Sequence, residues 1–201
     1  LACALLAGCG GPAEKKMKFY DRGMEYFGKG DYVKAGLEFK NAIQIDPKYA
    51  DAYYMLGMVE MRTGNPRGAY GAYAKAVELD PKHLKAHLEM GRLFLAARMP
   101  DKAQEKADAV LKEDPKNEEG LLLQSALYMA KQDTGRARST LEGLIAQGTS
   151  NPDVFLMLSM VQGYFEQAVR ESLLVQARLA GRAIMASQPL TVSNISQAML
   201  P

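Results

Sequence analysis

The dipeptide Asp-Pro returns in this chain at a fixed interval. In the strings IQIDPKYA, VELDPKHL and LKEDPKNE the prolines are Pro47, Pro81 and Pro115, each 34 residues from the next. A constant interval of this size means that one supersecondary unit is being repeated, and units of this size stack on one another. Other positions keep the interval: Gly23, Gly57 and Gly91 with Ser125 next in phase; Ala35, Ala69, Ala103 and Ala137; Phe39, Tyr73, Ala107 and Leu141. A further series runs through Ala42 and Ala76, and reads on to Ala109, one residue early, and Leu144, one residue late.

Each unit reads as two helices. Between Met17 and Lys29, Phe19, Gly23, Tyr26 and Phe27 recur at helical spacing. The string GKGDY (Gly28 to Tyr32) then breaks the helix, and the Asp31 side chain suits the cap of the next one. Val33 to Ile45 forms the second helix, and Asp46-Pro47 ends it, because the residue before proline avoids the α region. Gly23 and Ala35 permit close approach within a pair, and Ala42 permits docking of the next pair. A single pair cannot bury its apolar face, so the pairs must stack. The expectation is an all-α chain.

A 34-residue period with large and small residues at these offsets resembles the tetratricopeptide repeat, over residues 16–149 as four repeats. The resemblance implies a right-handed superhelix, a solenoid of helix-turn-helix units. Beyond it, PDVFLMLSMVQ (Pro152 to Gln162) reads as a fifth first helix, with Phe155 in line with Phe19, Tyr53, His87 and Leu121. GYFEQA (Gly163 to Ala168) then resembles the turn GDYVKA (Gly30 to Ala35), about three residues early. Phe165 to Ser187 reads as a capping helix, apolar at Phe165, Val169, Leu173, Ala177, Ala180 and Ile184. The expected organisation is 1–8 end of a signal peptide, 9–15 lipidated cysteine and tether, 16–149 repeats, 150–188 degenerate fifth repeat and cap, and 189–201 a frayed terminus.

The resemblance also implies a concave face lined by the first helices. Its geometry places Tyr20, Tyr54, Leu88 and Leu122 there at one offset, Met24, Met58 and Arg92 at a second, and Phe27, Met61, Leu95 and Met129 at a third. Four of the chain's twelve methionines, Met24, Met58, Met61 and Met129, lie in this stripe, and methionine suits a groove that receives varied apolar partners. The expected ligand is a protein or peptide. A second reading stays open: the stripe is core, or is covered by the chain's own C-terminal helix, leaving a structural spacer. Relatives that clamp a C-terminal carboxylate use Lys and Asn at the first two offsets, which this chain lacks.

The chain starts with LACALLA, an apolar run too short to span a bilayer. It reads as the end of a signal peptide whose first residues precede Leu1. Leu6-Ala7-Gly8-Cys9 then resembles the bacterial lipobox. That resemblance implies cleavage before Cys9, acylation of its thiol and new amino group, and a place on a membrane facing the periplasm. Several acyl chains anchor firmly where one does not. Gly10 rather than Asp after the cysteine favours the outer over the inner membrane. GGPAEKK (Gly10 to Lys16) is a short polar tether.

A net charge of +2 supplies no field for nucleic acid. Both cysteines, Cys3 and Cys9, lie in the opening segment, so no cysteine chemistry is available in the body. His83 and His87 stand four apart without a carboxylate or thiol to complete a metal site, and Lys82, His83 and Lys85 read as a solvated edge. Arg170, Arg178 and Arg182 read as a solvated face of the last helix. Two histidines on one helix and no Gly-rich phosphate loop leave no catalytic set, and no cofactor is expected. Two families look similar in layout: the repeat lipoproteins of exosortase and exopolysaccharide systems, which the run Asp101 to Gln124 resembles, and the type IV pilus assembly lipoproteins that help secretin subunits assemble. The expected function is that of a non-enzymatic envelope scaffold or assembly factor.

Overall fold

The computed structural model describes residues 11–187. The lipobox with Cys9, the signal segment 1–8 and the terminus 189–201 lie outside the described residues. Within them the chain is all-helical: α1 Pro12–Gly28, α2 Tyr32–Ile45, α3 Ala50–Arg62, α4 Pro66–Leu79, α5 Leu84–Ala96, α6 Pro100–Glu113, α7 Glu118–Ala130, α8 Thr134–Ala146 and α9 Pro152–Ser187. Two units are distinguished, one running to Asp133 and one from Thr134. In the first, α1 packs on α2, α3 on α4 and α5 on α6, and α2, α4 and α6 each pack on the helix that follows. In the second, α8 packs on α9. The first unit is thus a stack of helix-turn-helix pairs, the arrangement the repeat resemblance implies.

The Asp-Pro signal has a physical origin beyond the proline. Asp46, Asp80 and Asp114 all close their helices in extended conformation, with φ near −133° and ψ near 94°. Each carboxylate then accepts the amide of the residue two further on: Lys48 at 3.0 Å, Lys82 at 3.0 Å and Lys116 at 3.2 Å. Helix starts are capped as predicted at Asp31, which accepts from Lys34 N. Asn65, His83 and Asn117 cap α4, α5 and α7 in the same way. Such caps satisfy one of the orphan amides of a first turn.

The small residues carry the packing. Ala35, Ala69, Ala103 and Ala137 are fully buried. A methyl group on Gly23 would lie 2.6 Å from the Phe39 ring, and one on Gly57 would lie 2.4 Å from the Tyr73 ring. In the third pair Ala107 replaces that ring, and Leu123 of α7 reaches into the space to within 2.4 Å of a Gly91 methyl. The fourth small-residue series needs correction. The buried positions are Ala42, Ala76, Val110 and Leu144, all in phase, while Ala109 is only half-buried. The position tolerates growth from Ala to Val to Leu, so the expected slip of phase is absent.

The C-terminal region also departs from expectation. The turn expected over Gly163 to Ala168 does not form, and α9 runs unbroken through 36 residues. The earlier turn works because Gly30 takes a left-handed φ of 78° and Asp31 caps α2. In Gly163-Tyr164-Phe165 no capping residue follows the glycine, and one glycine costs a helix only about 1 kcal/mol. Val154 and Val161 are buried, whereas Tyr164, Leu173, Leu174 and Leu179 are exposed. Leu173, expected on the capping face, is 59% exposed. The side chains of Phe165, Val169, Ala177, Ala180 and Ile184 lie outside the described residues.

Candidate functional site

The first helices of the larger unit, α1, α3, α5 and α7, carry the predicted stripe, and the structure divides it into three groups. Leu88 and Leu122 are buried, at 5% and 7% exposure, and Leu88 belongs to a core cluster with Ala103, Val110 and Leu127. Neither offers surface to a ligand, which corrects their placement on the binding face; side chains of α6 and α7 cover Leu88. Tyr20, Phe27, Tyr54, Met58 and Leu95 are half-buried and pack against the same cores, and Met129 is also half-buried. Met24, Met61 and Arg92 are exposed.

The half-buried aromatics form an ordered ladder. Tyr20 lies 5.6 Å from Phe39 and 5.1 Å from Tyr49, centroid to centroid. Tyr54 lies 5.9 Å from Tyr73 and 5.0 Å from His83. Tilted ring pairs at these separations are favourable. Tyr73 donates its hydroxyl to the Met58 sulfur at 3.3 Å. Burial raises the Tyr54 hydroxyl to about 12, with the Glu89 carboxylate adding to it, and burial likewise raises Tyr20 and Tyr73. These phenols therefore stay neutral donors throughout the physiological range.

Arg92 is the one charged member of the stripe. It pairs with Glu89 at 2.5 Å on its own helix and with Glu119 on α7. Burial opposes the charge, but the two carboxylates outweigh it and hold the guanidinium above its ordinary pKa. The arginine thus ties α5 to α7 and leaves little free charge for an acidic ligand.

His83 is not part of a solvated edge. It is 8% exposed, its Nδ1 accepts the Ala86 amide at 3.1 Å, and its Nε2 faces Asp51 at 3.3 Å. The histidine takes the capping place that Asn117 fills one repeat later, a shift legible in the 34-residue alignment. His87 is buried too, with Nε2 2.9 Å from the Pro81 carbonyl oxygen. Among the described residues no group of three or more His, Cys, Asp or Glu could hold a metal ion. Nor, among them, is any helix long and apolar enough to cross a membrane.

Comparison with solved structures returns the same architecture. PilF of Pseudomonas aeruginosa superposes with a TM-score of 0.68 at 18% identity, covering 92% of this chain and 82% of PilF. The first tetratricopeptide domain of Spaghetti (RPAP3), bound to an HSP90 peptide, superposes with a TM-score of 0.54 at 21% identity, covering 61% of this chain and 94% of that domain. The Arabidopsis OM64 tetratricopeptide domain gives 0.56 at 19%, covering 59% of this chain and 98% of its own. No curated protein sequence matches. Tetratricopeptide-repeat family models match residues 61–127 and 94–161 with one model and 23–64 with another. The repeat period, the capped helix pairs and these matches together place the chain in the tetratricopeptide-repeat family.

Proposed function

We propose that this chain is a non-enzymatic, membrane-anchored binding protein of the bacterial cell envelope that holds partner proteins on its first-helix face. The observation that carries this reading is the pair of exposed methionines, Met24 at 42% and Met61 at 39%, beside half-buried Tyr20, Phe27, Tyr54 and Met58. Flexible apolar side chains over a rigid aromatic floor suit a partner's apolar segment. The peptide-bound state of the RPAP3 domain supports a protein or peptide ligand for this fold. The anchor is Cys9, set in its lipobox, facing the periplasm from the outer membrane. A second reading is that of an assembly factor for pili or their secretin, favoured by the likeness to PilF across 92% of the chain.

The test is crosslinking in intact envelopes followed by capture of the protein. Because Tyr54 and Met58 touch Tyr73, changing them would disturb the core. Met24→Ala with Met61→Ala alters the exposed part of the face alone. A partner captured by the wild type and lost in this variant supports the reading and identifies the system served. Identical captures remove the first-helix face as the binding surface, and the absence of any captured partner assigns the chain to the role of a structural spacer. Separately, Cys9→Ala is expected to move the protein from the membrane to the soluble fraction, and an unchanged distribution removes the lipid anchor.

A further inference from the structure

A cavity of about 400 Å³ opens between the start of α4 and the turn joining α5 to α6. Its walls are apolar, built from Tyr70, Leu93, Phe94 and Met99, with Arg67 and Lys102 at the edge. Tyr70 and Phe94 meet edge to face at 5.6 Å, and the Lys102 ammonium stands 5.6 Å from the Phe94 ring centre. Arg67 has no carboxylate partner among the described residues, and neither does Arg98, which sits exposed in the same turn. An apolar cavity of this size with a few convergent polar groups is the usual form of a ligand site.

The repeat itself marks this turn as exceptional. Corresponding turns read Gly30-Asp31, Gly64-Asn65, Arg98-Met99 and Gln132-Asp133. The first position takes positive φ in all four, at 78°, 79°, 57° and 60°. Glycine adopts that conformation freely, and arginine does not. The second position caps α4 with a side-chain oxygen in Asn65, but α6 has no side-chain cap at Met99. In this turn both residues that favour folding have been exchanged, one for a cation and one for an apolar wall. Local rules broken without structural gain concentrate where function is placed. The equivalent junction one repeat earlier has Gly36 in place of Tyr70 and Glu60 in place of Phe94. There Val59 closes onto Gly36, 3.2 Å from where a methyl would lie.

We propose that this pocket is a second binding site, separate from the first-helix face, for an acidic segment of a partner protein carrying one aromatic or aliphatic anchor. The anchor enters between Tyr70, Leu93, Phe94 and Met99, and flanking carboxylates meet Arg67, Arg98 and Lys102. Charge complementarity selects this occupant. The chain's own segments 1–10 and 188–201 contain no Asp or Glu, so they do not offer the matching charge.

The probe is a short fluorescein-labelled peptide with a single Phe flanked by Glu, and its control carries Lys for Glu; binding is read by fluorescence anisotropy on the purified protein. Two variants are compared with the wild type. Arg67→Glu with Lys102→Glu reverses charges that have no ion-pair partner. Arg98→Gly with Met99→Asn restores the Gly64-Asn65 sequence of the preceding turn. The acidic probe is expected to bind the wild type and the control not to, with affinity falling roughly tenfold or more in both variants. The restored turn is also expected to raise the thermal midpoint, so that binding falls while folding improves. Equal binding of the two peptides, or full affinity in both variants, overturns the proposal. A lowered midpoint in the restored turn overturns the argument from the repeat. Capture of phosphatidylglycerol vesicles but not of peptide, lost in the same variants, replaces the protein partner with a lipid surface.

Discussion

Gly57 has no room for a methyl group, because the Tyr73 ring would lie 2.4 Å from it. Tyr73 is fully buried and cannot retreat without opening the core. Gly57→Ala is therefore expected to destabilise the protein by about 1–3 kcal/mol, the usual cost of overpacking, measured by urea unfolding. His83 gives a second prediction at this scale. It caps α5 and meets the Tyr54 ring at a tilt, 5.0 Å between centroids. His83→Ala should cost about 1 kcal/mol, and His83→Asn should recover most of it, since Asn117 makes the equivalent cap. Failure of asparagine to rescue would shift the weight from the cap to the ring contact.

At the scale of elements, α9 provides the sharpest test. Gly163 lies inside an unbroken helix, and nothing stands within 4 Å of the place a methyl would occupy. Gly163→Ala is expected to stabilise the protein by about 0.5–1 kcal/mol and to leave or slightly raise the far-ultraviolet helical signal. A turn of the Gly30 type at this point would respond in the opposite direction, because its glycine holds a φ of 78° that alanine resists. The two outcomes separate a continuous α9 from a fifth helix pair. Most of the other elements were readable beforehand, because turn chemistry is local: Asp before Pro, Asp or Asn at the cap and Gly at the left-handed position all act within a few residues. α9 was misread because GYFEQA keeps the letters Gly and Tyr of that turn while lacking the capping oxygen that makes it work.

For the whole molecule, the ladder of buried and half-buried tyrosines sets an alkaline limit. Burial raises Tyr49 and Tyr54 to about 12, and raises Tyr73 as well, from an ordinary value of 10.0. In the unfolded chain these phenols ionise near their ordinary value, so the folded state binds protons more tightly. Stability from this source is complete below about pH 10 and is lost as pH rises through the folded values, near pH 12. The urea midpoint is expected to fall steeply between those limits, and Tyr54→Phe should flatten the fall. An unchanged slope would show that the Tyr54 hydroxyl is not held away from water.

The 34-residue period, the helix pairs and the small residues between them follow from the sequence alone, because capping, proline and steric fit between glycine and an aromatic ring are short-range matters that repeat. The sequence also placed the first-helix stripe, with Tyr20, Met24, Tyr54, Met58 and Arg92 in register. Which members of that stripe face solvent was not determined there. Leu88 and Leu122 share their offset with Tyr20 and Tyr54, yet they are buried while the tyrosines are half-buried, and Leu88 packs in a core built with side chains of α6 and α7. The pocket beside Arg98 was equally hidden. Its two departures from the repeat stand in the sequence, but only packing shows that Tyr70 of one pair and Phe94 of the next leave a cavity between them. Exposure and cavities arise from how separate helices fill space together, and no single stretch of chain encodes that.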